Sequence, residues 1–380
     1  MRVIGLISGT SADGIDVAVV DLEGEGYGLE ACLVAGFTES YPDDLRQRIL
    51  AACAGNPLSL ADLADLDEAI AQQFAQVAQQ AIDQSGAVDL VASHGQTVFH
   101  RPVQGRQLAY SVQLGRGASL ARHLGIPTVS NFRQADIEAG GEGAPLVPIV
   151  DLCLLSHPQM RRCVQNIGGI GNVTYLPTWD RHPSPQPPAI LGWDTGPGNS
   201  LIDIAMATLS EGSLTYDVDG AWAAQGIPCL DLIHDWLQHP YLHQPPPKST
   251  GRELFGWDYF QQCQRQAQGR GLGTMDFVAT LTAFTAATIA QSYRTFLPAL
   301  PDAILVGGGG SRNPTLMAYL QDHFPDIPVA PTDEAGVPAN DKEAMAFAVL
   351  GYWRWQRFPG NLPTVTGATS ATLLGDIHYP

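Results

Sequence analysis

Apolar positions along this chain repeat with two periods. Short runs rich in Val and Ile at 3–7 and 15–22 flank a polar reversal and predict a β-hairpin. Residues 31–37 predict a further strand. Pro42 opens a short helix, and Ser59 with Asp62 has the pattern of a capping box ahead of a longer one. In that helix Leu63, Leu66, Ile70, Phe74, Val77 and Ala81 recur at helical spacing against Asp and Gln, and Gly86 ends it. The compact run 88–92 predicts a buried strand that empties into Ser93, His94, Gly95, Gln96 and Thr97. A helix at about 114–123 and a strand at 128–130 follow.

The second half repeats the opening pattern. Residues 163–176 read as a strand, a glycine-rich reversal at Gly168, Gly169, Ile170 and Gly171, and a second strand from Asn172. Residues 177–188 are Pro-rich and aperiodic, a surface excursion. A strand then ends at Asp194, and a helix spans 200–209. Residues 214–270 are rich in Trp and Pro with few clear periods, and 275–296 predict a long buried helix. A strand at 303–306, four glycines (Gly307 to Gly310) and a helix at 315–324 form a third glycine-rich unit, and a last helix covers 342–355.

At 380 residues with 45% hydrophobic content, the chain is long enough for two domains with real cores. Its 20 basic and 38 acidic residues give a net charge of −18, which disfavours nucleic acid and anionic membranes as partners. The only lysines are Lys248 and Lys342. Six scattered cysteines with no C-x-x-C pair argue against a zinc site or disulfide framework and for a reducing, cytoplasmic setting. No apolar run approaches the roughly 20 residues of a membrane span, and no signal-peptide core is present.

Candidate chemistry gathers at the glycine-rich reversals. In the first, Gly9 and Gly14 permit positive φ and close backbone approach, while Thr10 and Ser11 add donors, as a loop around phosphate requires. Asp13 is then placed to hold a divalent cation through water. The competing reading is an ordinary turn. Asp194, bracketed by Gly192 and Gly196 ahead of a helix start, is either a helix cap or a general base. His94, Gln96 and Thr97 lie where ligands collect past a strand end. Arg133 and Asp136 adjoin a glycine bend (Gly140, Gly141, Gly143) and suit a polar, anionic ligand. The four glycines before Ser311 and Arg312 let a flat ring lie on backbone, as adenine needs. Lys248, Ser249 and Thr250 have the order of a P-loop ending, but Pro247 replaces its glycine. A dinucleotide fingerprint also fails on spacing. These residues support ATP-dependent phosphoryl transfer to a polar small molecule.

Two glycine hairpins, an Asp at a strand end and a late glycine-rich strand–helix turn resemble the actin-like ATPase superfamily of sugar kinases and Hsp70-type proteins. Residues 4–16, 93–97, 132–148, 166–172, 194–199 and 307–314, with the helix that Lys342 and Glu343 begin, resemble the anhydro-N-acetylmuramic acid kinase family. Departures are Ala12, where the family often has Met, Glu142, where Gln is expected, and a longer insert at 177–188. The resemblance implies an α/β, two-domain actin-like ATPase (ribonuclease H-like) fold with a nucleotide cleft between the domains. The division expected is 1–128 plus 360–380 against 129–359.

It further implies a kinase of cell-wall recycling that uses ATP and Mg²⁺ to turn 1,6-anhydro-N-acetylmuramic acid into N-acetylmuramic acid 6-phosphate. Asp194 would be the base that activates water. Gly9, Thr10, Ser11, Ala12, Asp13, Gly14, Ile15, Asp16, Gly168, Gly169 and Gly171 would grip the phosphates, with Asp13 at the metal. Gly308, Gly309 and Arg312 would lie near the adenosine, and His94, Gln96, Arg133, Asp136 and Glu343 would form the sugar pocket. A homodimer is expected. A nucleotide-switched binding or filament protein and an ordinary hexosamine kinase remain open from the residues alone.

Overall fold

Two mixed sheets carry the fold in the computed structural model, which describes residues 1–9, 12–103, 105, 107–181 and 187–380. In chain order the strands are β1 (Arg2–Ser8), β2 (Ile15–Glu23), β3 (Glu30–Glu39), β4 (Leu90–Arg101), β5 (Tyr110–Leu114), β6 (Thr128–Ser130), β7 (Arg162–Ile167), β8 (Ile170–Leu176), β9 (Leu191–Pro197), β10 (Ala303–Gly307), β11 (Val329–Pro331) and β12 (Asp376–His378). The first sheet has the order β12-β6-β4-β1-β2-β3, with β5 added to β4, and the second the order β11-β10-β7-β8-β9. In each, an antiparallel meander (β1-β2-β3 or β7-β8-β9) is continued on the far side of its first strand by two parallel strands (β4 and β6, or β10 and β11). The same ribonuclease H-like arrangement therefore occurs twice, as the actin-like resemblance implies.

The chain divides into two compact units, Met1–Leu154 with Arg181–Pro187 and Asp341–Pro380, and Leu155–Asp180 with Pro188–Asn340. Residues 129–154 and 341–359, assigned to the second lobe from sequence, lie in the first unit. The reason is pairing and packing: β6 joins β4 and β12, and the helix Lys342–Trp355 lies on β1, β2 and β4.

In the first unit β1 alternates between two helices. Ile4 and Leu6 meet Leu66, Ile70, Phe74 and Val77 of the helix Leu60–Ser85. Gly5 faces the opposite helix, where a Cβ would overlap the Ala344 carbonyl. The capping box is formed: Ser59 accepts from the Asp62 amide, and Asp62 accepts from the Ser59 amide. Each large side chain buried in this way contributes about 1.5–3 kcal/mol. The strand expected at 88–92 runs on to Arg101, because its outer half pairs with β5. The helix expected at about 114–123 consequently begins only at Gly117 and runs to Leu124.

In the second unit the long helix Thr274–Phe296 is buried on both sides. Ile289, Ala290 and Tyr293 meet Cys163, Ile167, Trp193 and Ile304 of the sheet. Phe277, Leu281 and Phe284 meet Trp236, Phe255 and Phe260, from the stretch that showed few periods. Among the described residues no helix is long and apolar enough to cross a membrane.

Candidate active site

In the first unit, the loop joining β1 to β2 is held from several directions. The Ser8 hydroxyl donates to the Gly14 carbonyl (2.7 Å), the Ala12 amide to the Gly9 carbonyl (3.1 Å), and Arg46 Nε to the Ala12 carbonyl (2.9 Å). Gln96, fully buried, donates to the Gly9 carbonyl (3.0 Å) and accepts from the Tyr41 hydroxyl (3.2 Å). Its amide thus braces this loop. Positive φ falls on Ala12 (49°), while Gly14 is needed for close approach: a Cβ there would lie 2.8 Å from the Glu39 carbonyl. Thr10 and Ser11 lie outside the described residues.

Acidic groups surround this loop. Asp13 is exposed and Ile15 is buried in the core. Asp16 accepts from the Thr38 hydroxyl (2.6 Å), yet burial pushes its carboxyl up to about 6, helped by Glu343, Asp13 and Asp341. Among the described residues, no group of three or more His, Cys, Asp or Glu side chains is arranged to hold a metal.

Arg133 Nε donates to His94 Nε2 over 3.0 Å, and Arg133 Nη1 donates to the Gly143 carbonyl over 2.7 Å. A guanidinium has only donors, so His94 Nε2 must be the lone-pair nitrogen, and the proton sits on Nδ1, 3.0 Å from the Gly95 carbonyl. Burial and Arg133 together push the His94 pKa well below its ordinary value. Burial lowers Arg133 to about 10, with Glu343 opposing. His94 packs on Phe347, 4.6 Å between ring centroids.

Asp136 has no exposed surface. Its carboxylate accepts from the Gly143 amide (2.8 Å), Asn361 Nδ2 (2.7 Å) and the Thr366 hydroxyl (2.7 Å), so it fastens the glycine bend that in turn holds Arg133. Glu142 accepts from the Val103 amide (2.8 Å), which satisfies the charge absent from the expected Gln. Beside Glu343, Lys342 forms a buried ion pair with Asp151 (2.8 Å), anchoring the start of that helix.

In the second unit the turn between β7 and β8 faces the helix Ser200–Leu209 with its carbonyls. The Gly168 carbonyl accepts from the Asn199 amide (2.8 Å), and the Gly169 carbonyl from the Gly198 and Ser200 amides (both 3.0 Å). The amides at the start of that helix are therefore engaged by the hairpin. A trans peptide points its N–H opposite its C=O, so the Gly169 amide faces away from the helix. Space outside is open: a Cβ on Gly168 or Gly169 would meet nothing closer than 3.8 Å. Gly171 instead packs on the Thr195 hydroxyl.

The late glycine loop adjoins this hairpin. Gly308 takes φ 77°, and a Cβ there would crowd Asn166 and the Ile167 carbonyl. Ser311 donates to the Gly308 carbonyl (2.7 Å), Gly309 is exposed and a Cβ there would lie 3.8 Å from Asn199 Nδ2, and Arg312 is exposed. The structure thus brings Gly168, Gly169, Gly308 and Gly309 together.

Asp194 lies within β9, opposite Asn172, and does not cap the helix. Its Oδ2 accepts from the Ser249 hydroxyl (2.8 Å) and the Thr250 amide (2.9 Å). Burial raises its pKa, and the Thr250 and Ser249 donors oppose that rise. Lys248 donates to the Tyr241 and Leu242 carbonyls (both 3.3 Å), and burial lowers it to about 8. Arg252 lies 3.8 Å from the Cβ position of Gly169 and restrains Asp203, which burial pushes up to about 7. Sequence reasoning missed Lys248, Ser249, Thr250 and Arg252. Their cluster of hydroxyls and charge stands in an aperiodic stretch, where the one pattern it approaches, a P-loop ending, fails at Pro247.

A family profile described as Anhydro-N-acetylmuramic acid kinase matches residues 1–380. The chain is 56% identical over 381 residues to the anhydro-N-acetylmuramic acid kinase of Cyanothece sp., with 100% of both chains covered. It is likewise 56% identical over 379 residues to that of Acaryochloris marina, again with 100% of both covered. Among solved structures, (R)-2-hydroxyglutaryl-CoA dehydratase component A from Acidaminococcus fermentans aligns at a TM-score of 0.45 and 12% identity, covering 93% of this chain and 98% of that one.

Proposed function

Because the chain belongs to the anhydro-N-acetylmuramic acid kinase family, we propose that it is the ATP-dependent kinase that opens 1,6-anhydro-N-acetylmuramic acid to N-acetylmuramic acid 6-phosphate in cell-wall recycling, with Asp194 as its base. The observation that carries the assignment of Asp194 is its carboxylate, raised by burial and gripped on one oxygen by two donors. A base of raised pKa works closer to neutral pH.

Asp194 takes a proton from water as that water bonds to the anomeric carbon. The C1–O6 bond breaks, and O6 takes the phosphoryl group. ATP would supply that group, its bond to the terminal phosphorus breaking to release ADP, and Mg²⁺ would offset the charge. The bare backbone at Gly168, Gly169 and Gly309 fits a nucleotide, since side chains there would occupy open space. Asp13, exposed on this loop, suits Mg²⁺ held largely through water. Gly9, Ala12, Gly14 and Asp16 shape the first phosphate loop, with Gln96 bracing it. Arg133, held by His94 and the Gly143 carbonyl, suits the carboxylate of a muramic acid, with Glu343 beside it. Asp136 contributes by fixing the bend. Six free cysteines support a reducing, cytoplasmic setting.

The test is to incubate the protein with Mg-ATP and the anhydro sugar and weigh the product. A gain of both a phosphoryl group and one water supports the reading. A gain of the phosphoryl group alone, or none, contradicts it.

A further inference from the structure

Tyr241, Lys248, Ser249, Thr250 and Glu253 lie against Asp194, and no pattern in the sequence assigns them a role there. We propose that Ser249 is a positioning residue for Asp194, its hydroxyl fixing the carboxylate so that Oδ1 alone faces the reacting water. The proposal rests on the reading of Asp194 as the base.

Both donors, the Ser249 hydroxyl and the Thr250 amide, land on Oδ2. A carboxylate oxygen has two lone pairs, and these two bonds fill them. Among the described residues Oδ1 takes no hydrogen bond, so the proton from water has one destination. The backbone of Asp194 is tied to the same segment: its amide donates to the Lys248 carbonyl (3.2 Å), and the Tyr241 hydroxyl donates to its carbonyl (2.9 Å).

Hydrogen bonds to the ionised form favour it, so Ser249 opposes the rise that burial imposes on the Asp194 carboxyl. The charged groups facing Asp194 are Lys248, which lowers its pKa, and Glu253, which raises it. Ser249 is exposed, so truncating it opens no cavity in the core.

Ser249→Ala, Ser249→Thr and Asp194→Asn are compared with wild type across pH for kcat and for KM of ATP. For Ser249→Ala we expect kcat to fall by about tenfold, as loss of a hydrogen bond to a charged group predicts. Its acid limb should move to higher pH with KM for ATP unchanged, and Ser249→Thr should restore both. An acid limb that overlies wild type overturns the proposal, whether or not kcat falls. If Asp194→Asn retains wild-type turnover, the base assignment itself has failed. If Asp194→Asn is inactive while Ser249→Ala matches wild type, only the role of Ser249 has.

Discussion

Arg133 Nε and His94 Nε2, 3.0 Å apart, fix each other: the guanidinium selects the neutral Nδ1–H tautomer, and the imidazole aims the guanidinium. Because His94 is 4% exposed and its pKa is lowered, the folded protein binds fewer protons at this site than the unfolded chain. Stability from His94 is therefore complete above its ordinary value of 6.5 and is lost as pH falls below it.

His94→Gln should consequently narrow the pH dependence of unfolding. The difference in melting midpoint between wild type and this variant is expected to shift against wild type from about pH 7 to about pH 5, the range of ordinary His titration. Asp16, raised to about 6, acts in the opposite sense, but it is common to both proteins and cancels. A difference that stays constant across this range contradicts the neutral, buried His94.

Asp194→Asn should keep the fold and nucleotide affinity while turnover falls by about 10²–10⁴-fold, the usual contribution of a general base. The amide oxygen can still accept from Ser249 and Thr250, whose donors hold this position. Calorimetry with ATP and a coupled turnover assay check it. A rate within a few-fold of wild type contradicts the assignment.

Gly169→Val should leave the melting midpoint within a few degrees of wild type and weaken ATP binding. The backbone at Gly169 is outside the left-handed region and the space around its Cβ position is open, so the fold tolerates the side chain while phosphate does not. Gly308→Val is the contrast: φ 77° and the nearby Ile167 carbonyl make it destabilising as well. Unchanged ATP affinity in a folded Gly169→Val protein contradicts the role of the hairpin.

Residues whose side chains follow one dominant period were legible from sequence. The helix Leu60–Ser85, with its capping box, and both glycine hairpins lie where apolar spacing placed them. What escaped depends on partners distant in the chain. β5 is five residues long and grades from exposed Tyr110 to buried Leu114 without alternating, so nothing separates it from a helix start without knowing that β4 runs beside it. The helix Trp257–Gly269 buries Tyr259, Phe260, Cys263 and Ala267 among Gln and Arg, a weak stripe that only the facing aromatics complete. At the site, the glycine brackets single out Asp194 as a cap or a base, but Ser249 and Thr250 reach it from 55 and 56 residues away. Asp136 likewise read as a ligand-facing carboxylate, and only the return of Asn361 and Thr366 shows its lone pairs engaged.

The most direct measurement follows the oxygen of water. Turnover of the anhydro sugar with Mg-ATP is run in water enriched in heavy oxygen, and the product is fragmented by mass spectrometry beside a control of preformed product that measures exchange at C1. If Asp194 directs water to the anomeric carbon, the label appears at C1 above the exchange control and is absent from the transferred phosphate. Label confined to inorganic phosphate, with the anhydro sugar unconsumed, contradicts hydrolytic ring opening by this protein.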